Sequence, residues 1–310
     1  MLAGGDGTRI QQLTRQIAGD ARSRQFCRFF EGKSLLTQTR DRIEPMFPDD
    51  QVLLALSAVH EPFYREELAG VSDRCSVVQP ANRGTAAAIA LCLRRIIQQD
   101  DDAVVAFFPS DHHYSNCSAF RETIESGLRV IGEYPGSVLL VGAEPKYPEV
   151  EYGWIEPGRT LVDSRFHSLH RVARFWEKPA VEHAEVLQQR GCLWNTFVMV
   201  GLAGTFLELL DATVPDLTRS IGPDANDLQL DEIYECLTPV DFSKSVLAQV
   251  PERLIVLRDH ASGWTDFGSP GRAIDVLARH GVPPEWLDRE RGSGWGQLFA
   301  GRPTMKTVEV

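Results

Sequence analysis

Short apolar segments alternate with helical segments through the first half of the chain, and this alternation restricts the possible folds more than any other feature. The apolar segments have the length of strands, and the segments between them repeat apolar residues at helical spacing. Strands are predicted at 51–58, 76–79, 103–108 and 137–142, and helices at 34–42, 65–68, 86–99 and 117–131. Such alternation predicts an α/β fold in three layers, with a parallel sheet between helices.

The second half of the chain is less regular but continues the same domain. Strands are predicted at 172–176, 197–200 and 254–257, helices at 181–189, 205–210, 228–237, 242–247 and 270–278, and loops at 10–24, 152–158 and 215–227. The segment from Gly281 onward contains Pro and Gly and is too short for a further domain. We therefore expect one large domain over residues 1–279 and a short C-terminal extension over 280–310.

The composition limits the classes of partner. The 310 residues are 43% hydrophobic and 24% charged, which supplies enough apolar material for a full core. A net charge of −11 argues against non-specific binding to nucleic acid or to an anionic membrane, because both need a basic surface. The six cysteines form no C-x-x-C pair, and the sequence has no signal peptide and no apolar run of membrane-spanning length. These features predict a cytoplasmic protein with reduced thiols.

The glycine-rich stretch at the start of the chain, Gly4-Gly5-Asp6-Gly7-Thr8-Arg9, is a candidate triphosphate cradle. Because glycine has no Cβ, such a loop can turn tightly and bring backbone N–H groups against phosphate oxygens, and Arg9 adds a cation. The alternative is an ordinary flexible terminus. The stretch matches neither G-x-G-x-x-G nor the P-loop. Only three residues precede Gly4, so we expect either a very short first strand or a chain start assigned a few residues late.

Three loops that follow predicted strands, 4–9, 79–85 and 109–113, are expected to share one crevice, because ligands of α/β sheets bind at the carboxyl ends of strands. Asp111 and Asp266 each follow an apolar strand. Two oxygen ligands from separate strands suit Mg²⁺, which keeps waters and bridges substrate phosphates. Either aspartate alone is also typical of a helix N-cap or a turn. The pairing of the two favours a metal site.

Five other polar residues have less specific patterns. His112 and His113 are adjacent and point in different directions, and no second His or Cys cluster stands at ligand spacing, so zinc is not favoured. Glu177 and Lys178 end a predicted strand, and a surface ion pair is one interpretation. The other is that Glu177 accepts sugar hydroxyls while Lys178 meets a phosphate. Asn195 can donate and accept, which makes it a further candidate for a sugar hydroxyl.

Several motifs in fixed order resemble those of one family. They are residues 2–9, Gln79-Pro80-Ala81-Asn82-Arg83-Gly84-Thr85-Ala86, Phe108-Pro109-Ser110-Asp111-His112, Tyr152-Gly153-Trp154-Ile155, Phe175-Trp176-Glu177-Lys178-Pro179, Trp194-Asn195 and Gly263-Trp264-Thr265-Asp266-Phe267-Gly268. Through them the chain resembles the sugar-1-phosphate nucleotidyltransferases, and within these the mannose-1-phosphate guanylyltransferases. The resemblance covers most of residues 1–279. It implies a three-layer α/β/α, Rossmann-like (GT-A-like) fold with a mostly parallel mixed central sheet.

The resemblance also implies a role for each matched residue. The implied catalytic residues are Arg9, Asp111, Lys178 and Asp266, of which Asp111 and Asp266 are the implied Mg²⁺ ligands. The implied nucleotide-binding residues are Gly4, Gly5, Gly7, Thr8, Arg24, Gln79, Pro80, Gly84 and Thr85. The implied sugar-phosphate site consists of Gly153, Glu177, Lys178 and Asn195. Residues 1–279 would then be the nucleotidyltransferase catalytic domain.

The implied reaction is Mg²⁺-dependent transfer of a nucleotidyl group from GTP to mannose 1-phosphate, giving GDP-mannose and pyrophosphate. A homodimer is one expected assembly. The chain departs from the family pattern where Arg24 stands in place of a lysine, Gln79 in place of a glutamate and Gly84 in place of an asparagine. The last two changes affect the base-recognition segment. Glucose 1-phosphate with UTP, dTTP or ATP is therefore an alternative pair, and a non-catalytic nucleotide-sugar-binding paralogue is a second alternative.

Overall fold

The structure, a computed structural model, describes residues 1–29, 32–163, 168–221 and 229–279. The strands are β1 (Leu54–Ser57), β2 (Ser76–Gln79), β3 (Val104–Phe107), β4 (His112–Tyr114), β5 (Val138–Ala143), β6 (Gly153–Asp163), β7 (Ser168–Glu177), β8 (Leu193–Leu202), β9 (Leu254–Asp259) and β10 (Trp264–Asp266). The helices are α1 (Gln11–Ala18), α2 (Leu35–Ile43), α3 (Glu61–Tyr64), α4 (Gly84–Ile97), α5 (Cys117–Ile131), α6 (Val181–Gln189), α7 (Ala203–Thr213), α8 (Pro215–Ser220), α9 (Leu230–Cys236), α10 (Phe242–Ser245) and α11 (Pro270–Arg279). The predicted extension at 280–310 lies outside the described residues.

A mixed sheet forms the centre of the fold, as predicted. Its main part has six strands in the order β3-β8-β5-β9-β7-β6. The parallel pair β1–β2 continues it through Leu2, which bridges Ala55 of β1 on one side and Pro109, just after β3, on the other. A very short first strand was one of the two expectations for the start of the chain. In the structure, the bridges made by Leu2 take the place of that strand. The glycine-rich loop therefore leaves the sheet between β1 and β3.

Parallel pairing is less extensive than predicted. The parallel strand pairs are β1–β2 and β5–β9, together with the bridges of Leu2. The pairs that β8 makes with β3, β5 and β6 are antiparallel, and so are those of β7 with β6 and β9. The reason is that β8 enters the middle of the sheet in the reverse direction and β6 returns as a hairpin into β7.

Alternate residues of β5 pack on opposite faces of the sheet. Leu139 belongs to one buried cluster with Phe120 and Ile124 of α5, whereas Leu140 belongs to the other with Ile89 of α4. All six residues of β5 are buried, as expected for a strand with helices on both sides. The apolar run in this segment is thus explained by its central position in a three-layer fold.

Two segments predicted as loops are regular structure. Residues 10–24 contain α1, because Ile10, Leu13 and Ile17 recur on one face and pack into a small buried cluster with Phe267. Of the basic residues in this segment, Arg15 lies in α1, whereas Arg22 and Arg24 lie beyond the end of the helix. Residues 152–158 lie at the start of the long strand β6, whose register shifts near Pro157 accommodate the proline and the following glycine.

Smaller differences concern boundaries. The helix predicted at 65–68 forms earlier, as α3, and the predicted polar loop at 215–227 contains α8, which begins at Pro215. Residues 222–227 of that segment lie outside the described residues. The segment predicted to follow β3 as a loop includes β4, which pairs with β10. This small antiparallel pair lies at the candidate site.

Candidate active site

A single cleft of about 510 Å³ opens beside the glycine-rich loop and collects most of the predicted site residues. The predicted residues that line it are Gly4, Gly5, Arg9, Arg24, Gln79, Gly84, Thr85, Asp111, Gly153, Glu177, Lys178, Asn195 and Asp266. Three predicted residues, Gly7, Thr8 and Pro80, are not part of this lining. Segments distant in sequence therefore meet in one cavity, as the predicted positions of the strand ends required.

The glycine-rich loop is held from beneath by a buried side chain that sequence reasoning did not single out. The amide of Gln25 donates hydrogen bonds to Ala3 O at 2.9 Å and to Gly5 O at 2.8 Å. Gly7 has a φ of 60°, and a Cβ there would lie 3.2 Å from the backbone nitrogen of Arg24. Thr8 opens a turn of 3₁₀ helix, Thr8–Ile10. Gly7 and Thr8 thus shape the loop without lining the cleft. Gln25, which does not line the cleft either, fixes the carbonyl groups of Ala3 and Gly5.

Arg24 and Asp111 form a close ion pair. Arg24 Nε and Nη2 each lie 2.5 Å from Asp111 Oδ2, and Arg24 Nη1 also donates to Phe267 O at 3.3 Å. Burial alone would raise the pKa of Asp111, but the charge of Arg24 outweighs it and holds that pKa below its usual value. Burial would likewise lower the pKa of Arg24, yet the charges of Asp111 and Asp266 raise it. Arg24 therefore faces both predicted metal ligands.

Asp266 is held by two residues that the sequence analysis did not place in the site. Tyr152 donates its hydroxyl to Asp266 Oδ1 at 2.6 Å, and Arg272 Nε lies 2.7 Å from the same oxygen. The antiparallel pairing of β4 with β10 sets Asp266 opposite His112, the neighbour of Asp111. The two aspartates thus come from adjacent points of one backbone ladder, although 155 positions separate them in the sequence.

The donor chemistry of this pair fits Mg²⁺. Both groups are hard oxygen ligands, and the low pKa of Asp111 keeps its carboxylate charged. Among the described residues there is no group of three or more His, Cys, Asp or Glu side chains that could hold a metal ion. A Mg²⁺ ion bound by Asp111 and Asp266 would therefore take its other ligands from phosphate oxygens and water, as this ion usually does.

Arg9 reaches across the mouth of the cleft. Its Nη1 lies 3.1 Å from Glu151 Oε1, with the two side chains 47% and 36% exposed. Such an exposed pair is weak and easily exchanged for another anion. Arg9 is thus placed to bind a phosphate group that enters the cleft.

The segment predicted to recognise the base is packed against a second loop. Gly84 has a φ of 84°, and a Cβ there would overlap the carbonyl oxygen of Val240. Val240 N–H donates to Arg83 O at 3.0 Å, and Thr85 accepts through Oγ1 from Phe242 N at 2.8 Å. Only glycine fits at position 84 in this arrangement, which accounts for the departure from asparagine. Thr85 has a structural task in addition to lining the cleft.

Gln79 is almost fully buried beneath the glycine-rich loop. It is 2% exposed, donates to Leu56 O at 3.3 Å and accepts from the Tyr234 hydroxyl at 3.4 Å. A Cβ on Gly4 would lie 2.7 Å from its amide nitrogen. Its amide nitrogen and oxygen therefore each have one partner within the protein, and glycine at position 4 leaves room for the Gln79 side chain.

The predicted sugar-phosphate residues form one wall of the cleft. A Cβ on Gly153 would lie 2.9 Å from Glu177 Oε2 and 3.3 Å from the Cβ of Asn195, so glycine lets these side chains approach. Burial raises the pKa of Glu177, against the opposing effect of Lys178, whose Nζ lies 3.0 Å from Glu177 Oε1. Lys178 has a φ of 47°, an uncommon conformation for this residue. The pair is both an ion pair and part of the cleft, so the two sequence interpretations are compatible.

Asn195 lies inside β8, two residues beyond its start, where the sequence predicted the strand to begin at 197. The register of β8 against β5 shifts between Gly142 and Leu140, and Phe197 in this irregularity has a φ of 58°. Phe197 N–H donates to Asn195 Oδ1 at 3.1 Å. The irregularity thus turns the amide of Asn195 so that its oxygen is bound and its nitrogen remains available to a ligand.

His112 supports the ladder beneath the aspartates. Its Nδ1 accepts from the indole N–H of Trp264 at 3.1 Å, and its Nε2 lies 3.7 Å from Asp111 Oδ1. Burial lowers the pKa of His112, against the opposing charge of Asp111. His112 is thus a neutral neighbour of the acidic pair, with a ring contact to Trp264.

Known proteins resemble this chain over most of its length. A family model described as "Nucleotidyl transferase" matches residues 1–278. The mannose-1-phosphate guanylyltransferase of Klebsiella pneumoniae is 28% identical over 282 residues, 87% of this chain and 57% of that protein. One from Escherichia coli is 27% identical over 294 residues, 91% of this chain and 60% of that protein. The chain therefore spans less than two thirds of the length of these relatives.

Solved structures share the fold. A crystal structure described as mannose-1-phosphate geranyltransferase from Thermus thermophilus has a TM-score of 0.73 and 26% identity, covering 86% of this chain and 75% of that one. A UDP-glucose pyrophosphorylase complexed with UDP-glucose has a TM-score of 0.55 and 15% identity, covering 88% of this chain and 94% of that one, and indicates the fold alone. In the part of the chain that the structure describes, no helix has the length and apolarity needed to cross a membrane.

Proposed function

Because the chain belongs to the nucleotidyl transferase family, we propose that it joins GTP and mannose 1-phosphate to form GDP-mannose and pyrophosphate, with Mg²⁺ as cofactor. The observation that carries this proposal is the composition of the cleft. One cleft is lined by two arginines, Arg9 and Arg24, by the carboxylates of Asp111 and Asp266 and by the predicted sugar-phosphate residues. Residues 1–279 form the proposed catalytic domain, with 280–310 as an extension.

The proposed chemistry needs no general base. A phosphate oxygen of mannose 1-phosphate is anionic at neutral pH and attacks the α-phosphorus of the nucleotide in line, while pyrophosphate leaves on the opposite side. The main barrier is the approach of two anions, which fixed cations and correct positioning lower. In the proposed complex, Lys178 orients the attacking phosphate and Arg9 stabilises the charge on the departing pyrophosphate.

The ion pairs of the cleft exchange partners when substrates bind. Arg9 leaves Glu151 for a phosphate oxygen, since that exposed pair costs little to break. Arg24 turns from Asp111 toward the triphosphate, which frees a carboxylate oxygen for the metal ion. Mg²⁺ held by Asp111 and Asp266 would supply positive charge next to the reacting phosphates.

The choice of mannose and guanine is supported by the guanylyltransferase relatives. A different base is the second candidate, because the buried amide of Gln79 is already bonded to Leu56 and Tyr234 and offers little to a base. Glucose 1-phosphate with UTP, dTTP or ATP would use the same phosphate and metal residues.

A substrate panel tests the proposal. The whole chain is incubated with Mg²⁺ and each combination of GTP, UTP, dTTP or ATP with mannose 1-phosphate or glucose 1-phosphate, and pyrophosphate release is measured. We expect the highest kcat/KM for GTP with mannose 1-phosphate and loss of turnover in Asp111→Asn. A higher kcat/KM for another pair would establish the second candidate. Binding of GDP-mannose without turnover of any pair would instead indicate a non-catalytic paralogue.

A further inference from the structure

We propose that Arg272 is a positioning residue that fixes Asp266 and the neighbouring glutamates so that Mg²⁺ and a triphosphate can bind beside them. The inference rests on the proposed function, since it concerns the same cleft. Arg272 follows the motif that ends at Gly268 and lies in the first turn of α11. It does not line the cleft itself but acts through residues that do.

The guanidinium of Arg272 lies against three carboxylates at once. Nη1 donates to Glu149 Oε2 at 2.7 Å, Nη2 donates to Glu151 Oε2 at 2.8 Å, and Nε lies 2.7 Å from Asp266 Oδ1. The side chain is only 9% exposed. Arginine suits this position because its donors diverge in one rigid plane, whereas lysine carries a single point charge.

The surroundings fix this arrangement further. The guanidinium carbon lies 4.9 Å from the centre of the Tyr152 ring, and the Tyr152 hydroxyl donates to the same Asp266 oxygen that Arg272 contacts. A Cβ on Gly268 would overlap Asp266 Oδ2 and lie 2.5 Å from Arg272 Nη2. The absence of a side chain at Gly268 therefore leaves the room that the Asp266 carboxylate and Arg272 occupy.

The charges explain why the contacts of Arg272 with the three carboxylates matter for substrate binding. In the substrate-free arrangement Arg272 contacts Glu149, Glu151 and Asp266, while Arg9 pairs with Glu151 and the charge of Arg24 acts on Asp266. When Arg9 moves to a phosphate, Arg272 still contacts all three carboxylates. Without it, these groups would repel one another and the incoming polyphosphate, and Asp266 would lose the contact that sets its orientation toward the metal.

A purely structural role is the competing explanation, and two properties separate the roles. A structural role would affect stability alone, and stability would recover when a partner charge is removed. A positioning role also affects metal affinity, and that loss persists when stability is restored.

The variants are Arg272→Met, Arg272→Lys and the double variant Arg272→Met with Glu149→Gln. Arg258→Met is the control, because Arg258 also forms an ion pair, with Glu144 at 3.1 Å, but does not line the cleft.

Mn²⁺ binding to the whole chain in the presence of GTP, followed by electron paramagnetic resonance, gives a readout that does not depend on turnover. Removal of an outer-shell partner of a metal ligand commonly weakens affinity about 10- to 100-fold, and we expect this range for Arg272→Met. Arg272→Lys should recover part of the affinity. The double variant should regain urea stability but keep the weakened Mn²⁺ affinity, and Arg258→Met should resemble the wild type.

Wild-type Mn²⁺ affinity in the folded double variant, or in Arg272→Lys and Arg272→Met alike, would overturn the inference. So would a wild-type chain that binds no Mn²⁺ with GTP. If the wild type binds Mn²⁺ with GTP yet turns over no substrate pair, the proposed reaction fails while the role of Arg272 is still decided by the variants.

Discussion

Arg24 holds Asp111 through two nitrogen atoms, each 2.5 Å from the same carboxylate oxygen. Arg24 is a predicted nucleotide-binding residue and Asp111 is a predicted metal ligand. The ion pair therefore joins the two predicted sites. Both side chains are largely buried, at 15% and 18% exposure. The state of the cleft before substrate binding is therefore one in which the predicted metal ligand Asp111 is neutralised by an arginine.

The stability of an Arg24→Ala variant should depend on pH in a defined direction. In the wild type the lowered pKa of Asp111 contributes stability above the ordinary aspartate pKa, and this contribution is lost as the pH falls through the folded-state value. Without Arg24 only burial acts, which raises the pKa of Asp111 and makes its charged form unfavourable. We expect the variant to be about 3 kcal/mol less stable at pH 7, with a smaller difference at pH 4.

Urea unfolding of both proteins at pH 7, 5 and 4 measures this effect. The double variant Arg24→Ala with Asp111→Asn is the control, because it lacks the titrating carboxyl group. Its own free energy of unfolding should change less with pH than that of Arg24→Ala. A deficit in Arg24→Ala that stays constant across this range would contradict the assigned cause of the Asp111 shift.

Arg9→Ala should reduce turnover without reducing stability. The pair with Glu151 is exposed, and such pairs contribute about 0–1 kcal/mol. In the proposed transition state, however, Arg9 faces developing charge, and loss of one such donor commonly lowers kcat about 10²- to 10³-fold. Pyrophosphate release measures kcat, and thermal unfolding measures stability. Arg65→Ala, which removes an exposed pair with Glu61 on α3, should leave both unchanged. Near-wild-type kcat in Arg9→Ala would refute its assigned role.

Gly84→Asn tests why this position has glycine where the family resemblance leads one to expect asparagine. Asparagine tolerates a positive φ, but its Cβ would still overlap the backbone of Val240. We expect a loss of about 1–3 kcal/mol in the free energy of unfolding and a larger rise in KM for the nucleotide than for the sugar phosphate. Gly191→Asn is a matched control, since Gly191 has a φ of 73° and a Cβ added there would have no atom within 4 Å. Equal effects of the two substitutions would exclude the contact with Val240 as the cause.

The sequence predicted the components of the site better than their contacts. Asp111 and Asp266 could be proposed because each follows an apolar strand, but their adjacency depends on the pairing of β4 with β10, and neither three-residue strand has a periodic signal. Arg272 lies beyond the last motif, and its buried position depends on partners more than 100 residues away. Long-range pairing of this kind leaves no local pattern in the chain.

The errors in the fold have a similar origin. Helix α1 was predicted as a loop because polar residues outnumber apolar ones in the segment, although Ile10, Leu13 and Ile17 have helical spacing. Strand β6 is hidden because Pro157 and Gly158 normally end a strand, whereas here they lie at register shifts opposite β7. By contrast, α5 and α6 have the bounds that the sequence predicts, because their apolar faces and flanking residues agree.

Asn195→Asp should weaken the binding of the sugar phosphate without disturbing strand β8. The carboxylate can still accept the hydrogen bond from Phe197 N–H, so the irregularity in β8 is kept. The substitution removes the amide donor and adds a negative charge beside Glu177, where a phosphorylated sugar is proposed to bind. Removing one partner of a buried hydrogen bond costs about 1–3 kcal/mol, and the added charge also repels the phosphate, so KM for mannose 1-phosphate should rise about tenfold or more, with KM for GTP little changed. The matched control is Asn116→Asp, where the side chain caps α5 by accepting from Ala119 N–H at 3.1 Å and an aspartate can do the same. Because Asn116 does not line the cleft, its variant should keep both KM values, and an unchanged KM for the sugar phosphate in Asn195→Asp would remove Asn195 from the proposed sugar site.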